Sequence, residues 1–345
     1  MTSHARIILL LLPALGLLSA CDDPTAAEFA ADGSIEVRDG PGNGGPVFNT
    51  NILEGTDVPA IDTTGVPLGG VTLVDVKYLR LGVLTSIPVS TLWVDHGTLR
   101  THLLQKFAPV GADFIGSRWT FDVGGGHHVV ATLVNVETSD DAGLYKPGLV
   151  DELLKLDPER DVYTFVYDDI PNSPIHTCAE DSSGGARMVL YGDIIVDEST
   201  GVVSSRPDTL YFGCISGAVG KAALWGYAPD SPSLPSISME GFTTAIRAVR
   251  ADYCADGVSH TLAGHLLTVR DQWAINNPPS MGYFTEAIWE EGTGAICVNR
   301  VRRTEEILTA PFECPGGATI PLCPTAASIE ADWSGGYGDI WTKIP

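Results

Sequence analysis

Asp252, Asp256 and His260 recur at steps of four, with Cys254 between the first two and His265 five residues further on. Carboxylates and an imidazole so close together can do acid–base work or hold a metal ion, since they are proton acceptors and oxygen or nitrogen donors. A structural alternative accounts for the same residues. Asp252 would cap a turn or pair with Arg247 or Arg250, Cys254 would sit in a disulfide, and Asp256-Gly257 would make a tight turn. The structural alternative carries more weight. Asp256-Gly257 lacks the spaced acidic positions of a calcium-binding loop, and no metal or other cofactor is implied.

Two weaker clusters follow the same logic. Gly124-Gly125-Gly126-His127-His128 is a glycine-rich turn with paired histidines. Neighbouring strand residues face opposite ways, so these rings do not readily share one metal, and a hairpin turn with incidental histidines is the better reading. Asp95-His96 with His102 is weaker still. The chain has no G-x-S-x-G elbow, no HExxH and no phosphate-binding GxxxxGK[ST]. A triad assembled from distant residues stays open, because geometry defines it.

Apart from Cys21, six cysteines remain: Cys178, Cys214, Cys254, Cys297, Cys314 and Cys323. An even number without a CxxC pair points to disulfides in an exported protein, not to zinc. The turn-prone PGGATIPL segment favours Cys314–Cys323, which leaves Cys178–Cys214 and Cys254–Cys297 as the expected remainder.

These residues must be positioned by a mainly β framework. Short runs rich in Val, Thr, Tyr and Leu, divided by Gly, Asp and Pro, lie at 71–78, 90–94, 118–123, 128–136, 162–167, 188–196, 209–214 and 222–227. They predict a sandwich- or barrel-like sheet with a few short helices, braced by disulfides. Met239, Phe242, Ile246, Val249 and Tyr253 recur at three- and four-residue steps, predicting a helix capped by Ser238, with Arg247 and Arg250 near its end. Shorter helices are expected at 149–156 and 283–290.

The N-terminus reads as an address. A weakly positive start precedes IILLLLPALGLL, too short to span a bilayer and suited to a signal peptide. Leu18-Ser19-Ala20-Cys21 resembles a bacterial lipobox, which implies cleavage before Cys21 and acylation of it. The expected organisation is a signal peptide at 1–20, a lipidated tether at 21–33, a β-rich portion at 34–172 and a cysteine-rich portion at 173–345. Twenty Lys+Arg against 43 Asp+Glu give a net charge of -23, which disfavours nucleic acid as a partner. The membrane, reached through the N-terminal lipid, is the expected contact, with another envelope protein or an extracellular glycan as partner.

Arg250-Ala251-Asp252-Tyr253-Cys254-Ala255-Asp256-Gly257 resembles the signature of the ADYC-domain proteins, and the pieces around it agree. Phe212-Gly213-Cys214, Trp225-Gly226-Tyr227-Ala228-Pro229, Phe284 to Trp289, Ala295-Ile296-Cys297 and Cys314-Pro315 follow in the family's order. The resemblance covers residues 178–315 and implies a cysteine-rich envelope lipoprotein of the mostly myxobacterial type, with Ala251, Asp252, Tyr253 and Cys254 as its hallmark. Two cysteines usual in the family are replaced here, around Ala222-Ala223 and Thr244-Ala245. The resemblance implies a location and no reaction. Two readings stand: a non-catalytic envelope binding protein, which is favoured, and a lipid-tethered hydrolase or metal-dependent enzyme using Asp252, Asp256 and His260.

Overall fold

The computed structural model describes residues 47–345 apart from 103–107, 145–156, 158, 168–174, 182–183, 232–233 and 278–282. The expected leader at 1–20, Cys21, the tether to residue 33, the helix at 149–156 and the boundary at 172 lie outside the described residues.

The β-branched and aromatic runs pair into two open antiparallel sheets. The larger follows the order Ala60–Asp62, Val203–Cys214, Met188–Val196, Asp161–Tyr167, His128–Thr138, Arg118–Asp122, Thr72–Arg80 and Val83–Ile87, with Ile175–His176 beside Asp161–Tyr167. Its first and last strands do not meet, so there is no closed barrel. Alternation along Met188–Val196 explains how both faces are used. Val189 and Tyr191 enter one hydrophobic cluster while Met188 and Leu190 enter another. The smaller sheet runs Val47–Phe48, Leu266–Asp271, Ile340–Ile344, Phe284–Glu290, Gly294–Val298.

Two helices pack against these sheets. α1 spans Ala218–Leu224 and α2 spans Met239–Arg250, with a third, α3, at Ala326–Asp332. α2 contacts Val203–Cys214 of the large sheet and both Phe284–Glu290 and Ile340–Ile344 of the small one. The expected stripe is its core face, with Phe242, Ile246 and Val249 fully buried, and the Ser238 Oγ accepts from the Gly241 N–H at 2.8 Å. The opposite face is buried too, and its threonines are hydrogen-bonded. Thr243 Oγ1, for example, accepts from the Val203 N–H at 2.9 Å.

Three expectations are corrected. Residues 283–290 form the strand Phe284–Glu290, not a helix. Thr285 to Trp289 are buried against both neighbouring layers, and two register shifts disturb the alternation that marks a half-exposed strand. The expected strand at 222–227 begins inside α1, whose residues are all buried, so no amphipathic period shows. A Cβ on Gly220 would stand 2.2 Å from the Cys214 carbonyl oxygen, so only glycine lets α1 lie this close to the sheet.

The third correction concerns the bridges. Cys178 pairs with Cys214 as expected, but Cys254 pairs with Cys314 and Cys297 with Cys323, at Cα separations of 5.7, 5.7 and 4.7 Å. The short loop closes as a hairpin, not as a disulfide. Phe312–Glu313 pairs with Thr319–Ile320, with Phe312 opposite Ile320. That register leaves Cys314 at the turn, while Cys323 continues past the other end, about five residues or roughly 16 Å away along extended chain. Each therefore reaches a different partner.

Candidate functional site

The signature begins where α2 stops. Ala251 takes the left-handed conformation, with φ 54°, and closes the helix by a Schellman pattern. Its N–H donates to the Ala248 carbonyl at 3.4 Å and the Asp252 N–H to the Arg247 carbonyl at 3.0 Å. Arg302 also meets this end, its guanidinium donating to the Val249 and Ala248 oxygens at 2.9 Å each. A cation at this end also suits the helix dipole.

Arg302 is wholly buried, and so is Glu286 opposite it. The two make a forked ion pair, Nε to Oε1 at 2.9 Å and Nη2 to Oε2 at 2.8 Å. Tyr253 completes the brace. Its hydroxyl donates to Glu286 Oε1 at 2.7 Å and accepts from the Arg302 backbone N–H at 3.0 Å. Its ring stacks on Trp289, with centroids 5.4 Å apart, and meets the edge of Phe312. The end of α2, the strand Phe284–Glu290 and the segment around Arg302 are thereby tied at one point. Burial of a charged pair is tolerable only because each polar atom is partnered.

Asp252 works inward as well. Its carboxylate accepts from the backbone N–H groups of Asp256 and Gly257 at 3.1 and 3.0 Å, closing the turn. Burial pushes its pKa up to about 6, although those backbone donors and the charges of Arg250 and Arg247 pull the other way. Gly257, at φ +82°, is the fixed point of the turn, since a Cβ there would lie 1.7 Å from the Ser199 carbonyl oxygen. Arg250 Nη2 donates to the Gly257 carbonyl at 2.8 Å, and the Ser259 hydroxyl to the Arg250 carbonyl at 2.8 Å.

The three groups considered for chemistry therefore have different tasks. Asp252 holds a turn. Asp256 accepts from the Val258 N–H at 3.0 Å. His260 packs its ring on Tyr253 and Phe312, and burial lowers its pKa. Cys254 is bridged to Cys314. His265 lies 3.7 Å from Glu305, and its N–H donates to Asn49. Among the described residues, no group of three or more His, Cys, Asp or Glu is placed to hold a metal ion.

The weaker clusters resolve as turns. His127 and His128 are exposed at the hairpin joining Arg118–Asp122 to His128–Thr138. His96-Gly97 is the two-residue turn between the strands Leu92–Asp95 and Thr98–Thr101, with both residues at positive φ. Asp95 pairs with Arg100 at 2.9 Å, and His102 stacks on Trp93.

Of the pair at the centre of the brace, Glu286 falls in the family-like piece Phe284 to Trp289 with nothing to mark its role, and Arg302 falls in none of those pieces. The two stand sixteen residues apart on separate elements, and only the pairing of strands brings them together. Asp193 and Asp208 are likewise unannounced, although Gly192 within a strand-like run is the kind of residue that marks a bulge.

The architecture is that of a disulfide-braced, mainly β protein whose signature knots a central helix end to the smaller sheet. The ADYC domain model matches residues 111–304, more than half of the chain, and the protein belongs to that family. The match begins well before the resemblance traced from residue 178, so strands of the large sheet are part of the family's domain. No curated protein and no solved structure matches this chain.

Proposed function

We propose that this is an exported bacterial lipoprotein of the myxobacterial envelope type, held to the membrane by acyl chains on Cys21, and that it acts by binding and not by catalysis. The observation that carries the reading is the internal use of the signature. Tyr253, Glu286, Arg302 and Asp252 are committed to one another and to backbone, which suits a rigid body. The Leu18-Ser19-Ala20-Cys21 pattern supports the anchor, and three bridges suit an oxidising compartment. No helix among the described residues is long and apolar enough to cross a membrane. The enzyme alternative would need the Asp252 and Asp256 carboxylates free to react, and both accept backbone N–H groups that close the turn.

The test is cross-linked affinity purification from the native envelope, run beside Cys21→Ala. The expected result is one envelope component recovered in near-equal amount with the wild type and lost with Cys21→Ala, which no longer sediments with membranes. Recovery of the protein alone, or equal membrane sedimentation of both forms, would overturn the reading.

A further inference from the structure

The hairpin Leu92–Asp95/Thr98–Thr101 lies against the large sheet where that sheet's ladder is broken. Between Gly192 and Ile194 the register shifts, and Asp193 and Asp208 both take left-handed conformations, at φ 57° and 59°. The Asp208 N–H donates to Asp193 Oδ1 at 2.9 Å, which fixes the two strands relative to each other at this point. The hairpin sits so close that a Cβ on Gly192 would lie 3.0 Å from the Val94 carbonyl oxygen. The same sheet also holds its turn and second strand through Tyr163, whose hydroxyl accepts from the Leu99 N–H at 2.7 Å and donates to the Gly97 carbonyl at 3.1 Å.

Between hairpin and sheet is a cavity of about 150 Å³ lined mainly by polar groups. Ser90, Asp193 and Asp208 line it beside Trp93 and His102, whose rings are stacked at 4.9 Å and within 1° of parallel. The Trp93 indole N–H is shielded from solvent and has no hydrogen-bond partner, an arrangement that costs free energy unless something accepts from it. The signature region also holds unpartnered atoms, His260 Nε2 and Arg247 Nε, but here exposed carboxylates stand beside a polar cavity.

We propose that the cavity binds a single neutral sugar ring from a surface or matrix glycan. Each feature excludes another class of ligand. Two carboxylates on a chain of net charge -23 repel anions. Polar walls give an apolar ligand nothing to replace the water it displaces. A cavity that holds several waters takes one ring and leaves the rest of a glycan outside. A pyranose matches what remains: hydroxyls donate to Asp193 and Asp208 as charge-assisted bonds, and the C–H face lies against the aromatic surface of Trp93 and His102.

This deepens the binding reading and rests on it only in that the protein acts by binding. The experiment uses the full chain in a detergent without a sugar headgroup. Methyl glycosides of glucose, galactose, mannose and N-acetylglucosamine are titrated by saturation-transfer NMR, with the wild type beside Trp93→Ala and Asp208→Asn. The expected result is transfer to at least one glycoside at millimolar affinity, weakened about tenfold by either substitution in proteins that keep the wild-type circular dichroism. Trp93→Leu, which keeps an apolar side chain and removes the aromatic face, is the second variant should Trp93→Ala fail to fold, and it too weakens binding. Absence of transfer to all four, or binding unchanged in folded Asp208→Asn and Trp93→Leu, overturns the proposal. Calcium shifting the Asp193 and Asp208 resonances without any sugar transfer overturns it as well. Sugar failure alongside a captured envelope partner discards the cavity and leaves the binding reading standing.

Discussion

The signature around Tyr253 and the hairpin cavity around Trp93 have similar residue types and opposite circumstances. Each offers carboxylates, a histidine and aromatic rings. In the signature, Glu286, Arg302 and Asp252 are fully buried and partnered, and Tyr253 nearly so. At the cavity, Asp193, Asp208 and His102 are exposed, and the Trp93 N–H is shielded without a partner. Chemistry-bearing residues gathered in sequence were spent on holding the fold. Those left free to meet a ligand came from three separate stretches and had no motif.

The comparison breaks first at its strongest joint. Glu286→Ala leaves the Arg302 charge buried and unpaired, so a loss of about 3–5 kcal/mol is expected in chemical denaturation. A loss below about 1 kcal/mol would mean the brace is not what ties α2 to the small sheet. Next in size is Gly257→Ala. Its Cβ would collide with the Ser199 carbonyl, and a loss of about 2–4 kcal/mol is expected, against about 1 kcal/mol for Gly126→Ala, which meets no neighbour within 4 Å. Equal losses at the two glycines would remove steric fit as the reason for Gly257.

A third prediction depends on pH. The Tyr211 hydroxyl donates to the Glu54 carboxylate, and burial pushes Glu54 from 4.5 up to about 7. Between those values the folded protein holds a proton that the unfolded chain has released, so stability falls as pH rises, by about 3 kcal/mol in all. Glu54→Gln should remove most of that slope in denaturation at pH 4.5, 6 and 8. The slope that remains belongs in part to Asp252, whose pKa is raised in the same direction. An unchanged slope would show Glu54 ionised throughout.

The smallest effects sharpen the contrast. Asp256→Asn removes one exposed turn acceptor and should cost less than about 1 kcal/mol, without changing partner capture. Asp208→Asn should leave the melting temperature within about two degrees of wild type, because its carboxylate holds nothing in the fold. A large loss of stability there would place the cavity with the braces.

Much of the framework was legible from local pattern. The run at 188–196 became the strand Met188–Val196 residue for residue, and the stripe from Met239 to Val249 became α2, with Ser238 as its cap, while Tyr253 falls beyond the helix end. These elements bury one set of side chains in a regular period, and the period is visible. Phe284–Glu290 and α1 were misread because burial on every side erases that period. Strands such as Leu266–Asp271 and Ile340–Ile344 escaped notice because each forms only against distant chain.

The sequence by itself determined the β-rich composition, the central helix, the even set of bridging cysteines, the family signature and the acidic charge, all of them properties of composition or of residues close in the chain. Tertiary structure alone decided which cysteines meet, that Tyr253 joins Glu286 to Arg302, and that Trp93, Asp193 and Asp208 share one cavity. Those pairings depend on strand register and on the approach of segments as much as 115 residues apart, and no local preference encodes either.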